Sequence, residues 1–104
     1  MNDFGYYIKQ NTVKFVYFGS VKKEVRVFGN FMGWSENNPE WKMHYNLEND
    51  DWELEVLISK IKSGKTDDFY EFTFIVDGDW INADKNAPNL NFCPGYGYRY
   101  FLNI

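Results

Sequence analysis

Residues 72–82, FTFIVDGDWIN, place Phe72, Phe74 and Val76 on one side of an extended chain, turn at Asp77-Gly78 and resume at Trp80. Such alternation is typical of a strand with one buried face. Asp-Gly between two strand-like runs signals a two-residue hairpin, since Gly tolerates positive φ. The stretch therefore predicts an antiparallel hairpin with a tryptophan just beyond its turn.

The same alternation recurs along the chain. It spans TVKFVYF (12–18), EVRVF (24–28), KMHYNLE (42–48), WELEVLI (52–58), FYEFTFIV (69–76) and GYRYFLNI (97–104). Only VLISKIKSG (56–64) could form a helical turn, and its β-branched residues argue against a longer helix. Six or seven short strands separated by turn residues predict an all-β fold, an antiparallel β-sandwich of about seven strands.

The chain has 104 residues, which suits one domain over residues 1–104. Aromatic residues make up 21% of it, so even a small domain can bury a large apolar area. We expect the in-phase strand residues to form the core: Phe15, Tyr17, Val25, Val27, Phe72, Phe74 and Val76. Trp52 is expected to join them, because it is in phase with Leu54 and Val56.

Charge and composition exclude several classes of function. The net charge is -4 and the pI about 4.9, which argues against nucleic acid and against an anionic membrane surface as partners. No apolar run reaches the roughly 18 residues of a spanning helix. Because Met1 is not followed by a basic segment and an apolar one, no signal peptide is visible and we expect a cytoplasmic protein. Cys93 is the only cysteine and His44 the only histidine, so the sequence gives no reason to expect a disulfide, a metal or another cofactor.

Three motifs in order resemble those of family 48 carbohydrate-binding modules. VRVFGNFMGW (25–34) resembles their V-x-[LV]-x-G-x-F-x-x-W signature, and NLENDDWELEV (46–56) resembles the hairpin that follows it. YEFTFIVDGDWINADKNAPN (70–89) resembles their Y-x-F-x-[VI]-D-G-x-W segment and its tail. The family includes the glycogen-binding domain of the AMP-activated kinase β subunit and the N-terminal domains of branching enzymes and isoamylases. The resemblance covers about residues 13 to 104.

This resemblance implies an immunoglobulin-like, early-set sandwich that binds α-1,4-linked glucans such as glycogen or starch without cleaving them. The family's sugar-binding tryptophan positions correspond to Trp34 and Trp80. Its lysine position on the strand before Asp77 corresponds to Thr73, and its last hairpin loop to Leu90 through Tyr98. The sequence departs from the family pattern at Thr73 and at Met32-Gly33.

The residue chemistry agrees with a sugar site. A flat indole can cover the apolar face of a sugar ring, while nearby polar side chains bond its edge hydroxyls. Trp34 and Trp80 each follow a turn, which suits an exposed surface, whereas Trp41 could belong to the sheet edge or to that surface. The candidate binding residues are Trp34, Trp80, Thr73, Asn30, Lys42, Asn82, Asn89, Leu90 and Tyr98, and Ser35 is a further possible edge partner.

Two other readings stay open at this point. The departures at Met32 and Thr73 allow the same fold without a sugar site, acting through its aromatic surface on a protein partner or as a homodimer. The domain could also belong to a longer amylolytic enzyme. We do not expect catalysis: Glu53 and Glu55 lie about 7 Å apart along one strand, near a glycosidase spacing, but acids on an outward strand face are usually solvated.

Overall fold

The computed structural model describes residues 5–64, 68–84, 86–87, 89–94 and 97–104. Within these residues, two antiparallel sheets pack as a sandwich, which confirms the predicted fold class. The strands are β1 (Tyr6–Ile8), β2 (Thr12–Tyr17), β3 (Val25–Gly29), β4 (His44–Asn46), β5 (Asp51–Leu57), β6 (Tyr70–Val76), β7 (Asp79–Trp80), β8 (Leu90–Cys93) and β9 (Gly97–Leu102).

The first sheet has the strand order β1-β2-β5-β4. Its longest pairing joins β2 to β5, from Thr12 opposite Leu57 to Tyr17 opposite Trp52. Val13 and Phe15 of β2 face the sandwich interior and are both 0% exposed, because alternate residues of a strand share one face.

The second sheet has the order β3-β6-β9-β8 and carries the candidate site. Strand β6 pairs with β3 on one side, from Phe72 opposite Gly29 to Val76 opposite Val25. On its other side, β6 pairs first with β9, through Tyr70 to Phe72, and then with the two residues of β7. Strand β7 therefore adds Trp80 to the sheet at the end of β6.

Aromatic rings fill the space between the sheets. Phe72 is fully buried, and its ring centre lies 4.9 Å from that of Phe15 and 5.2 Å from that of Tyr100. The predicted core positions on β2, β3 and β6 are buried or packed against the core, and Trp52 packs against it as well. Trp41 is 3% exposed and 5.3 Å from Phe31 between ring centres, so it is a core residue.

Strand lengths differ from the prediction at several places. Among the described residues there are nine strands rather than about seven, because β1 and β8 are too short for alternation to reveal them. The strand predicted over 42–48 is limited to His44–Asn46. Leu47 is 81% exposed at the following turn, although its phase had suggested the same face as Met43.

A short helix, α1 (Ile58–Ser63), follows β5 where one helical turn was the most we expected. Ile61 is 0% exposed in the core, and Ile58, three residues earlier on the same helix face, packs against it. Burial of this face outweighs the low helix propensity of the β-branched residues.

The predicted hairpin at Asp77-Gly78 is confirmed, with φ of 52° and 89° at the two residues. The Asp77 side chain reaches beyond the hairpin. Its carboxylate accepts hydrogen bonds from the backbone N–H groups of Lys22, Lys23 and Glu24, at 2.8, 2.6 and 3.0 Å. It thereby ties the hairpin to the loop before β3.

Candidate functional site

The outer side of the second sheet begins with a pair of opposed residues, Phe28 on β3 and Thr73 on β6. Their neighbours Val27 and Phe74 are opposed as well and lie in the core, so Phe28 and Thr73 face outward. An outward residue is normally exposed, but Phe28 is only 1% exposed. Other side chains must therefore cover it.

Trp34 is one of the covering residues. After β3, a 3-10 turn over Asn30–Met32 is followed by Gly33 and Trp34, both with positive φ, 66° and 57°. The Trp34 backbone N–H donates to the carbonyl oxygen of Gly29 at 2.9 Å, which closes the reversal of the chain. The indole thus returns to β3, with its centre 4.9 Å from that of the Phe28 ring.

Trp80 covers Phe28 from the other direction. Its ring centre is 4.9 Å from that of Phe28, and it pairs with Ile75 through β7. The indole is 44% exposed, and its Nε1–H donates to Oε1 of Glu36 at 3.1 Å. This bond joins the loop after Trp34 to β7 and fixes the edge of the indole.

Arg99 lies against both tryptophans. It is on β9, between Tyr98 and the core residue Tyr100, so its side chain faces outward. Its Cζ is 5.8 Å from the ring centre of Trp34 and 5.9 Å from that of Trp80. Arg99 is 3% exposed, and an NH1 hydrogen bond to the Tyr98 carbonyl oxygen measures 3.1 Å. We call Phe28, Trp34, Trp80 and Arg99 the aromatic face.

The structure thus brings together the two tryptophans selected from the sequence. Both indoles lie 4.9 Å from one phenylalanine ring, so their centres are no further apart than twice that distance. Thr73 is adjacent to them but 0% exposed, and its hydroxyl donates to the carbonyl oxygen of Ile81 at 2.6 Å. Thr73 supports the face from below and offers no surface to a ligand.

The predicted asparagine partners hold backbone segments. Asn30 is 4% exposed; its amide donates to the Phe69 carbonyl oxygen at 2.8 Å and accepts from the Glu71 N–H at 3.0 Å. Asn82 accepts from the Tyr98 N–H at 3.2 Å, and Asn89 donates to the Phe101 carbonyl oxygen at 3.2 Å. These contacts stabilise the edges and connections of the second sheet.

The other predicted partners lie away from the tryptophans. Lys42 is exposed. Its backbone forms an isolated antiparallel β-bridge with Arg26, at the edge of β3 opposite to the one that pairs with β6. Leu90 and Tyr98 alternate with Asn91 and Arg99, which places them on the opposite side of the sheet from the aromatic face. There, Tyr98 packs on Phe92 at 5.2 Å between ring centres.

Sequence reasoning missed Phe28, Glu36 and Arg99. Phe28 is out of phase with Val25 and Val27, so its large outward ring was a signal that something covers it. Arg99 falls between two tyrosines in GYRYF and carries the opposite phase. Glu36 had no signal, because its contact with Trp80 joins residues 44 positions apart.

The acids considered for catalysis form ion pairs on the first sheet. Glu53 contacts Lys14 at 2.9 Å, and Glu55 contacts Lys9 at 3.2 Å and the Thr12 hydroxyl at 2.9 Å. Desolvation raises the pKa of Glu53, but the hydrogen bond shared between the Asp51 and Glu53 carboxyl groups and those donated by Lys14 and the nearby asparagine amides outweigh it and lower the pKa. Glu53 and Glu55 both border an open groove of about 760 Å³.

No family model matches the chain, and no curated protein matches it. In the part of the chain that the structure describes, no helix is both long and apolar enough to cross a membrane. The same residues contain no group of three or more histidine, cysteine or acidic side chains arranged to hold a metal ion.

Proposed function

We propose that this protein binds α-1,4-linked glucans on the aromatic face and does not cleave them. The observation that carries the proposal is the convergence of Trp34 and Trp80 on Phe28, with Trp80 44% exposed at the surface. Trp34 beside it is half-buried, so the two indoles and Phe28 form one continuous aromatic surface rather than a single exposed ring, and such patches are typical of binding sites.

The chemistry of the face suits a sugar. The exposed indole of Trp80 offers an apolar surface for the C–H face of a pyranose ring. At its edge, the Glu36 carboxylate is exposed and can accept hydrogen bonds from sugar hydroxyls. A few polar groups around an apolar surface are the usual composition of a small-molecule site.

The resemblance to family 48 carbohydrate-binding modules supports the same proposal independently. The two tryptophans that the resemblance assigns to sugar are the two that meet on the second sheet. The early-set, immunoglobulin-like fold of that family is a two-sheet sandwich of this general kind. We extend the proposal to a targeting role, in which the domain holds a glucan-active enzyme on its polymer.

Non-catalytic binding is favoured over hydrolysis because, among the residues that the structure describes, the only carboxylate we place at the aromatic face is that of Glu36, and the pair at glycosidase spacing lies elsewhere. Glycoside hydrolysis requires two carboxyl groups on either side of the scissile bond. Glu53 and Glu55 lie side by side on one strand of the first sheet, and each is engaged by a lysine. The aromatic face lies on the other sheet.

A second candidate function is binding of a protein partner or a second copy of the chain. It is favoured by Phe92 and Tyr98, which are 59% and 40% exposed and pack together on the other side of the second sheet. This pair is separate from the tryptophans, so the two functions can be tested independently.

The test is a tryptophan fluorescence titration with maltoheptaose and β-cyclodextrin, with cellohexaose as the control sugar. We expect a saturable change with the two α-glucans alone, at weak affinity because an open face buries little area. Trp34→Ala and Trp80→Ala should abolish binding of the α-glucans in folded protein. Tyr45→Ala, which removes an exposed aromatic side chain of the first sheet, should not. No change up to millimolar α-glucan would contradict the proposal and leave protein partners to be tested by sedimentation of the wild type and Phe92→Ser.

A further inference from the structure

Arg99 is an unusual residue to find at the base of an exposed aromatic surface. It is 3% exposed, and arginine is almost never so deeply buried unless it is paired. The ion pairs found between described residues involve Lys9, Lys14, Arg26 and Lys60, and none includes Arg99. Its charge must be compensated in another way.

The two indoles and one carbonyl group lie directly against the guanidinium and contribute to that compensation. A guanidinium within about 6 Å of an aromatic centre is attracted to the ring, and the effect grows when the pair is desolvated. Arg99 meets this condition twice, at 5.8 Å from Trp34 and 5.9 Å from Trp80. Its NH1 bond to the Tyr98 carbonyl oxygen anchors the group to β9.

The two tryptophans themselves come from different connections. Trp34 follows the turn after β3, and Trp80 follows the hairpin after β6. The hydrogen bond between Glu36 and Nε1 of Trp80 links the two connections at one edge of the Trp80 indole, and it does not involve the Trp34 indole. Arg99 is on a third strand and is in contact with both, so it can couple them.

We propose that Arg99 is a positioning residue that holds Trp34 and Trp80 in a fixed relation, so that the aromatic face is formed before its ligand binds. The part of this inference that concerns glucan affinity rests on the proposed function; the part that concerns the indoles does not. A face formed in advance avoids the entropy cost of ordering two large side chains on binding.

The test compares Arg99→Met and Arg99→Lys with Arg26→Met as the matched control. Arg26 is on the same outer side of the sheet, on β3, and pairs with Glu24. The measurements are indole near-ultraviolet circular dichroism and acrylamide quenching without ligand. Trp34→Phe and Trp80→Phe variants identify the signals of the two face tryptophans against those of Trp41 and Trp52.

We expect Arg99→Met to lose most of the dichroism of Trp34 and Trp80 and to increase acrylamide quenching of the half-buried Trp34, while far-ultraviolet dichroism is retained. Arg99→Lys keeps the charge without the planar group and should lose part of the signal. Unchanged indole signals in Arg99→Met would overturn the proposal, as would an equal loss in Arg26→Met. If Arg99→Met does not fold, unchanged signals in folded Arg99→Lys overturn it instead.

Glucan titration of the same variants separates this inference from the proposed function. If the wild type binds maltoheptaose, we expect about tenfold weaker binding by Arg99→Met, which is the factor lost when the indoles adopt their binding arrangement only about a tenth of the time. Equal affinity would overturn the positioning role. If the wild type does not bind, the proposed function fails, and the indole signals still decide whether Arg99 couples the tryptophans.

Discussion

The hydroxyl of Thr73 donates a hydrogen bond to the carbonyl oxygen of Ile81 at 2.6 Å, from a side chain that is 0% exposed. Ile81 directly follows Trp80, and its N–H donates to the Phe74 carbonyl oxygen at 3.2 Å. These two bonds hold the end of β7 against β6. The position that the family resemblance assigned to sugar contact is thus used to fix the segment that carries Trp80.

We predict that Thr73→Val lowers the free energy of unfolding by about 1–2 kcal/mol, because it removes a buried hydrogen bond while keeping the side-chain shape. Urea denaturation measures this loss, and the Trp80 fluorescence should shift as β7 loosens. Thr12→Val is the control, since its hydroxyl bonds an exposed carboxylate, that of Glu55. Equal losses in the two variants would contradict the special role of Thr73.

Glu36→Gln should weaken the hydrogen bond that the Trp80 indole donates to residue 36. A carboxylate accepts a stronger hydrogen bond than a neutral amide oxygen, by roughly a factor of two. We expect affinity for maltoheptaose to fall about threefold, which corresponds to a loss of less than 1 kcal/mol. Calorimetric titration checks this, and Glu40→Gln, an exposed acid whose Oε2 contacts Lys60 instead, is the control. Unchanged affinity in Glu36→Gln would show that its bond to Trp80 has no part in binding.

Asp77 should make the stability of the protein depend on pH in the acidic range. Hydrogen bonds from the Lys22 backbone, opposed by desolvation and reinforced by the Lys23 and Glu24 backbones, lower the pKa of Asp77 below its usual range. A carboxyl group with a lowered folded-state pKa stabilises the protein above its unfolded pKa, and this contribution is lost as pH falls through the folded pKa.

Asp77→Asn should therefore have a lower Tm than the wild type at neutral pH, and the difference should shrink as pH falls below about 4. Asn tolerates positive φ, so the turn itself is kept. Thermal melts at several pH values measure this, with Asp79→Asn, an exposed residue of the same hairpin, as the control. A difference that stays constant with pH would contradict the assignment.

Gly29 is required by the close approach of β3 to β6. A Cβ at this position would lie 2.5 Å from the Glu71 carbonyl oxygen and 2.9 Å from Cε1 of Phe31. We expect Gly29→Ala to cost about 1–3 kcal/mol of stability, since backbone has to shift. Gly33→Asn, which adds a side chain where nothing lies within 4 Å, should be nearly neutral. Denaturation midpoints compare the two, and a neutral Gly29→Ala would contradict the packing argument.

Much of the sandwich could be predicted because strand periodicity is local. Val13 and Phe15, Val25 and Val27, and Phe72 and Phe74 all fall on the buried side as their spacing indicated. Prediction was weaker where a segment is very short, as in β1, or where tertiary burial decides its structure, as for Ile61 in α1.

The sequence by itself determined the strand faces, the hairpin at Asp77-Gly78 and the presence of tryptophans just after two turns, because these depend on neighbouring residues and on backbone φ. Only the tertiary structure decided that Trp34 and Trp80 meet over Phe28, that Trp41 is buried, and that Thr73 lies beneath the surface. The physical reason is that the face draws on β3, β6, β7 and β9 at once. Their register sets which side chains meet, and residues such as Glu36 and Trp80 come within bonding distance although 44 positions separate them.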